Sequence, residues 1–175
     1  MNNILIIYST CDGHTEKICH KIRELCEGYG HEVKLVSITE LSPEDLHRFA
    51  KIVIGASIRY GKHNQKIIDF VMNNRALLDS KPSAFFSVNL VARKPNKNTP
   101  ETNPYLKKFL RRVSWRPART TVFAGSIDYK KYRFSDRTII RIIMFLTKGP
   151  THPDAAVDYT NWEEVEKFAG VVHEM

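Results

Sequence analysis

The feature that most constrains this chain is the run Ile4-Leu5-Ile6-Ile7-Tyr8, followed at once by small polar residues and then by a helical pattern. Five consecutive apolar residues leave no side for water, so the run reads as a central parallel strand covered on both faces. The helix that follows, 14–29, places Ile18, Ile22, Leu25 and Cys26 on one side, and Gly28 and Gly30 mark its end.

The alternation then repeats along the chain. Residues 32–38 read as a second strand and Ile52-Val53-Ile54-Gly55-Ala56 as a third. Residues 65–78 read as a helix with Ile67, Ile68, Val71 and Met72 apolar, and residues 83–91 as a fourth strand. A short basic helix at 105–113, a fifth strand at 120–127 and helices at 134–148 and 162–172 complete the pattern. Such alternation predicts an α/β fold, a doubly wound five-stranded parallel sheet with helices on both faces and right-handed crossovers. With 175 residues, one domain over 1–175 is expected, carrying a basic helical insert at about 129–158 before the last helix. The chemistry is then expected beyond the carboxyl ends of strands one, three and four.

The first of these turns is Ser9-Thr10-Cys11-Asp12-Gly13-His14-Thr15. It combines hydroxyl donors with a helix N-terminus, whose free N–H groups and partial positive charge suit a phosphate. It has no lysine, so it is no Walker loop, and only one glycine, so it is no dinucleotide fingerprint. An ordinary helix cap has the same composition. The turn after strand three, Ser57-Ile58-Arg59-Tyr60-Gly61, offers an aromatic that can stack on a flat ring, or a tyrosine that merely faces solvent. After strand four, Ser87-Val88-Asn89-Leu90-Val91 offers an amide able to both donate and accept at a heterocycle edge. His63 reads as the start of a helix.

The strand followed by Ser9-Thr-x-Asp-Gly13-x-Thr15 resembles the FMN phosphate loop of flavodoxins, which usually carry threonine where this chain has Asp12. With Gly55-Ala-Ser-Ile-Arg-Tyr-Gly61, Ser87-Val-Asn-Leu-Val-Ala-Arg-Lys-Pro95, Thr99-Pro100-x-Thr102-Asn103 and Trp115-Arg116-Pro117, the chain resembles the flavodoxin-like bacterial protoporphyrinogen IX dehydrogenases that use quinone. The resemblance implies bound FMN, held by residues 9–15, 57–61 and 87–91. It also implies oxidation of protoporphyrinogen IX to protoporphyrin IX in heme biosynthesis, with electrons passed to menaquinone or ubiquinone. The place implied is peripheral, at the cytoplasmic face of the membrane. Arg59, Arg93 and Lys94 are then candidates for the porphyrinogen propionates. No residue is required as a general base. Two other readings of the fold are a flavodoxin-like electron carrier, typically acidic, and an NAD(P)H:quinone reductase, for which no second nucleotide site is visible.

Charge is concentrated in one region. Residues 92–150 hold 15 Lys/Arg against 3 Asp/Glu, while the chain as a whole is +8. Such asymmetry points to an anionic partner. In the insert Arg133, Arg137 and Arg141 are four apart and Lys148 falls on the same side, with Ile139, Ile142, Ile143, Phe145 and Leu146 opposite. That amphipathic pattern fits a helix with its cations on an anionic membrane surface, or a core helix with solvated charges. Aromatics interleave with the cations, but no nucleic-acid motif appears and nucleic acid is not expected as a partner.

The opening residues show neither a basic n-region nor a cleavage site, so no secretory signal is expected. The longest apolar run, 138–147, is interrupted by Arg141 and falls short of the roughly 20 residues of a membrane span. The cysteines, Cys11, Cys19 and Cys26, are too few for a metal site, and none is expected. Cys19 and Cys26 share a helix face and read as small buried hydrophobes.

Overall fold

The computed structural model describes residues 3–131, 134–146 and 149–175. The chain opens with β1 (Asn3–Ser9), in which Ile4 to Ile7 are all fully buried, and turns into α1 (His14–Gly28). There follow β2 (Glu32–Ser37), the single-turn α2 (Asp45–Arg48), β3 (Lys51–Arg59), the short β4 (Lys62–His63), α3 (Gln65–Asn73), α4 (Arg75–Asp79) and β5 (Ser83–Asn89). Two 3₁₀ turns, Leu90–Arg93 and Pro95–Lys97, lead to α5 (Pro104–Val113), β6 (Arg119–Ala124) and β7 (Ser126–Asp128). A further 3₁₀ turn at Tyr129–Lys131 precedes α6 (Phe134–Leu146), β8 (Ala156–Asp158) and α7 (Trp162–Glu174).

Five parallel strands stand in the order β2-β1-β3-β5-β6. The direction of winding reverses between β1 and β3, and a crevice opens there at the carboxyl ends of the strands. Because successive strand residues point to opposite faces, β1 feeds both cores. Leu5 and Ile7 pack with Ile54, Phe85 and Phe109 on one face, while Ile4 and Ile6 meet Ile18, Ile22 and Phe168 on the other. Cys19 and Cys26 lie in the second core, and burial pushes the Cys26 thiol up to about 11. The C-terminus of α7 is tied down by buried Lys51, whose Nζ donates to the carbonyls of Val172 and His173 at 3.1 and 2.7 Å.

The elements depart from the sequence pattern in four places. The helix expected over 65–78 breaks at Asn74, whose backbone N–H caps α3 on the Phe70 carbonyl at 3.0 Å. β3 runs on to Arg59 and folds back as β4 through Tyr60 and Gly61, both with positive φ (49° and 72°). That is the backbone of a tight hairpin turn, and for Tyr60 it is a sparsely populated one. His63 consequently lies in a strand and not at a helix start. The strand expected over 120–127 divides at Gly125: β6 stays in the parallel sheet, and β7 leaves it to pair antiparallel with β8.

Between β7 and β8 the chain makes its long excursion. Tyr129, fully buried, donates its hydroxyl to the Pro150 carbonyl at 2.7 Å and accepts Arg137 Nε at its own carbonyl at 3.0 Å. Arg137 therefore faces the body of the protein together with Ile140 and buried Met144. Thr138, Ile139, Arg141, Ile142 and Phe145 are exposed. This corrects the sequence reading of α6, in which the arginines faced outward as a set opposite the isoleucines. The 3.6-residue period fixes which residues share a side, but not which side the core selects. Arg133 and Lys148 lie outside the described residues, as do the side chains of Ile143 and Leu146.

Candidate cofactor site

The crevice beyond the strand ends is lined by three consecutive strand-to-helix connections and roofed by α6. The first connection leaves β1. Gly13 takes φ 81°, a left-handed conformation that a Cβ would strain, and starts α1 without a side-chain cap. Its N–H donates to Thr10 Oγ1 at 3.0 Å, which folds the turn over the helix N-terminus. Ser9 and Thr15 are 3% and 1% exposed, and among the described residues Ser9 Oγ and Thr15 Oγ1 have no hydrogen-bond partner. Buried hydroxyls without partners are unfavourable unless something else supplies the bond. Two of them beside the free amides of a helix N-terminus form a cradle for an anion.

Asp12 stands at this cradle, where a lone carboxylate would repel a phosphate. Arg59 Nη1 lies 3.1 Å from Asp12 Oδ1, with its guanidinium 5.4 Å from the Tyr60 ring centroid. The ion pair joins the first connection to the second. His14 Nε2 is 2.6 Å from Thr160 Oγ1 and 3.5 Å from Asp158 Oδ1, tying the start of α1 to the end of β8. The Asp158 carboxyl is held below its ordinary value: burial opposes the shift, and the hydrogen bonds from Thr160 together with the charges of His14 and Lys17 outweigh it.

The third connection, after β5, is built on a buried polar chain. His63 Nε2 lies 2.9 Å from Ser87 Oγ, and Asn89 Nδ2 donates to the same oxygen at 3.2 Å. Asn89 and Asn103 exchange amide hydrogen bonds at 3.0 and 3.4 Å, and Asn89 Oδ1 also accepts from Ala92 N–H at 3.2 Å. Asn103 in turn caps α5 through Tyr105 and Leu106 N–H, both at 3.2 Å. His63 packs against Phe109 and Phe85, and burial pulls its pKa down to about 3. The imidazole is a neutral structural bridge.

Most of the expected positions meet in one place. Thr10, Cys11, Asp12, His14 and Thr15, the whole of 57–61, and Val88 to Val91 line the crevice. Ser87 does not: it is fully buried within the sheet and serves the polar chain. Ser9 and Gly13 stand behind the lining, as an inward hydroxyl and as the backbone that shapes the turn. Asn89 reaches the crevice, but its amide is satisfied by protein partners and not turned to a ring. Arg93 lines the crevice, donating through Nη1 to the Leu90 carbonyl at 2.8 Å; Lys94 does not line it. Tyr105, Gly125, Ser126, Ile140 and Met144 complete the walls and went unnoticed in the sequence. Gly125 carried a signal, as a lone glycine inside a strand pattern. For Ile140 and Met144 no local signal distinguishes them from other apolar residues of α6.

Comparison with known proteins agrees with this arrangement. Residues 5–154 match a family model described as flavodoxin domain. The chain belongs to the flavodoxin domain family. Two similar relatives carry the same name, protoporphyrinogen IX dehydrogenase (quinone). That of Escherichia coli (strain K12) is 42% identical over 165 residues, covering 94% of this chain and 91% of the relative. That of Leishmania major is 43% identical over 166 residues, covering 94% of this chain and 72% of the relative. Among solved structures, oxidised flavodoxin 2 from Bacillus cereus superposes with a TM-score of 0.58 at 19% identity, covering 98% of each chain. Oxidised flavodoxin 1 from the same organism gives 0.54 at 13% identity, covering 98% of this chain and 97% of the other. At such identity these flavodoxins show the fold alone.

Proposed function

We propose that this flavodoxin-domain protein is an FMN-dependent oxidoreductase that converts protoporphyrinogen IX to protoporphyrin IX and delivers the electrons to menaquinone or ubiquinone, in heme biosynthesis. One observation carries the reading. The crevice is lined by Thr15, whose buried hydroxyl has no partner among the described residues and which neighbours the similarly orphaned Ser9, and by apolar Ile140 and Met144 of its roof, in a chain 42% identical to a dehydrogenase of that name. The fit to FMN rests on the cradle, which offers neutral donors and a helix N-terminus to a terminal monophosphate. When bound, FMN supplies reversible two-electron chemistry.

The chain's own residues bind and orient. Residues 9–15 would hold the phosphate, with Ser9 and Thr15 donating the hydroxyls that have no partner among the described residues. Arg59 neutralises Asp12, so that the carboxylate beside the phosphate no longer opposes it. Residues 57–61 and 88–91 would hold the ring, with exposed Tyr60 available to stack on it. The amide of Asn89 fixes the course of the third connection and leaves ring recognition to the backbone of 89–91. Arg59 and Arg93, both lining the crevice, would meet the propionate carboxylates of the substrate. Conversion of porphyrinogen to porphyrin removes six electrons and six protons, so three quinones become three quinols per ring. Because the acceptor resides in lipid, the enzyme works peripherally at the cytoplasmic face of a membrane; no helix among the described residues is long and apolar enough to cross one.

Anaerobic mixing of the FMN-loaded protein with protoporphyrinogen IX tests the reading. Flavin absorbance should bleach, and a quinone analogue should restore it. Rapid bleaching by NADPH with none by protoporphyrinogen would make the protein a quinone reductase instead.

A further inference from the structure

Six large hydrophobic side chains are exposed among the described residues, and three of them stand on one helix: Ile139 at 43%, Ile142 at 56% and Phe145 at 75%. A fourth, Tyr60, lies on the rim of the crevice that this helix roofs. Spaced three apart, Ile139, Ile142 and Phe145 sweep about 120° of helix surface. Exposed Arg141 stands between them in sequence. The opposite side of the same helix, Ile140 and Met144, forms the crevice wall. An ordinary amphipathic core helix would bury such apolar residues and leave only its polar side outward.

We infer that the outer face of α6 is a membrane-inserting surface: Ile139, Ile142 and Phe145 enter the interface of an anionic bilayer with Arg141 at headgroup level, which turns the mouth of the crevice toward the lipid. The inference rests on the proposed function, whose acceptor is a lipid-borne quinone, and it assigns the surface that reaches that acceptor. An apolar face with cations beside it is the composition of helices that lie in the membrane interface. Charge selects lipid over a second copy of the chain. The excursion that carries α6, residues 129–150, holds six Lys/Arg against one Asp, so two such faces brought together would repel, whereas an anionic bilayer attracts them. The contact differs from a purely electrostatic one. Apolar insertion survives salt, while attraction by surface cations is screened within a Debye length of about 8 Å at physiological ionic strength. With one side of α6 in lipid and the other on the crevice, an apolar reactant passes between them without crossing bulk water.

The test uses FMN-loaded protein and vesicles of phosphatidylcholine containing phosphatidylglycerol. Trp emission of Phe145→Trp, taken as the difference from the parent protein, should shift to the blue on vesicle addition and be quenched by brominated lipid. Vesicle partitioning of the double variant Ile142→Asp, Phe145→Asp should fall by about tenfold or more and stay low in both low and high salt. Arg141→Gln should cost about fivefold, and only at low salt. Melting temperature and FMN affinity of the double variant should match the parent, since both residues are exposed and outside the crevice. Unchanged partitioning of the double variant, or no blue shift, overturns the inference. So does concentration-dependent self-association without vesicles that Phe145→Asp abolishes, which would make the face a homodimer contact. Vesicle binding needs no turnover. Binding through α6 without bleaching by protoporphyrinogen would therefore refute the proposed function and leave the surface standing.

Discussion

Among the described residues the two cores flanking the parallel sheet contain 20 and 15 buried apolar residues, whereas the α6 excursion closes over three, Ile127, Tyr129 and Met144. Both regions wall the same crevice. The sheet side grows from strand ends locked in parallel ladders, so its loops leave a rigid platform. The α6 side hangs from the three-residue β7–β8 ladder and from hydrogen bonds at Tyr129, among them those to Pro150, Arg137 and the Ala155 carbonyl. Local stability follows buried apolar contact, so the roof opens more readily than the platform beneath it. On the proposed function, the cofactor would sit on the stable side and the reactants would enter under the labile one.

The contrast breaks first if the two regions respond alike to mutation. Phe85→Ala should remove about 3–5 kcal/mol of global stability, because the ring is fully buried against Phe109 and Trp115. Tyr129→Phe should cost only about 1–2 kcal/mol by leaving the Pro150 carbonyl unpaired. The second loss should be local: hydrogen exchange over 126–158 speeds up while protection of β1, β3 and β5 is unchanged. Loss of sheet protection in Tyr129→Phe would mean the arm and the sheet unfold as one unit.

A second measurement isolates the platform by pH. Buried His63 is neutral in the folded protein, with a pKa near 3 against 6.5 unperturbed. Between those values the unfolded chain takes up a proton that the folded chain refuses. Stability is therefore fully present above about pH 6.5 and declines as pH falls toward 3, by up to about 1.4 kcal/mol per unit. His63→Gln should flatten that part of the profile in denaturant titrations. The Asp45 carboxyl, held low first by its hydrogen bond from Lys34, contributes in a lower window, losing its stabilisation only as pH drops below 3.8. An unaltered slope between pH 6 and 4.5 in His63→Gln would place the titrating group elsewhere.

The smallest expected effect is the sharpest in sign. Thr15→Val removes a hydroxyl that is buried without a partner, so the apoprotein should be as stable as the parent or slightly more so. FMN affinity should nevertheless fall by about tenfold, about 1.4 kcal/mol, with riboflavin affinity unchanged. Fluorescence titration with both flavins reads this directly, and equal loss for the two would remove the phosphate from the cradle.

Much of the platform was legible along the chain because each of its signals is local. Runs such as Ile4 to Tyr8 can only be strands covered on both sides, and the turn Ser9 to Thr15 carries its donors within seven residues. The position of the crevice then followed from strand order. What escaped was relational. Asp12 looked ill-suited to a phosphate site until Arg59, 47 residues away, was seen to pair with it. Asn89 looked free to read a ring until Asn103 and Ala92 took its amide. Ser87 looked like a cofactor-binding residue and proved to be the centre of a buried chain.

By itself the sequence determined the periodicity of each element, the parallel class of the sheet, the hydroxyl-rich turn after the first strand and the basic bias of residues 92–150. Tertiary structure alone decided which way α6 faces. A helical repeat sorts residues onto sides but is indifferent to rotation of the whole helix, and that angle is set by what the helix packs against. Here the Tyr129 carbonyl engages Arg137 and the crevice takes Ile140 and Met144, so the apolar ridge from Ile139 to Phe145 is left on the outside.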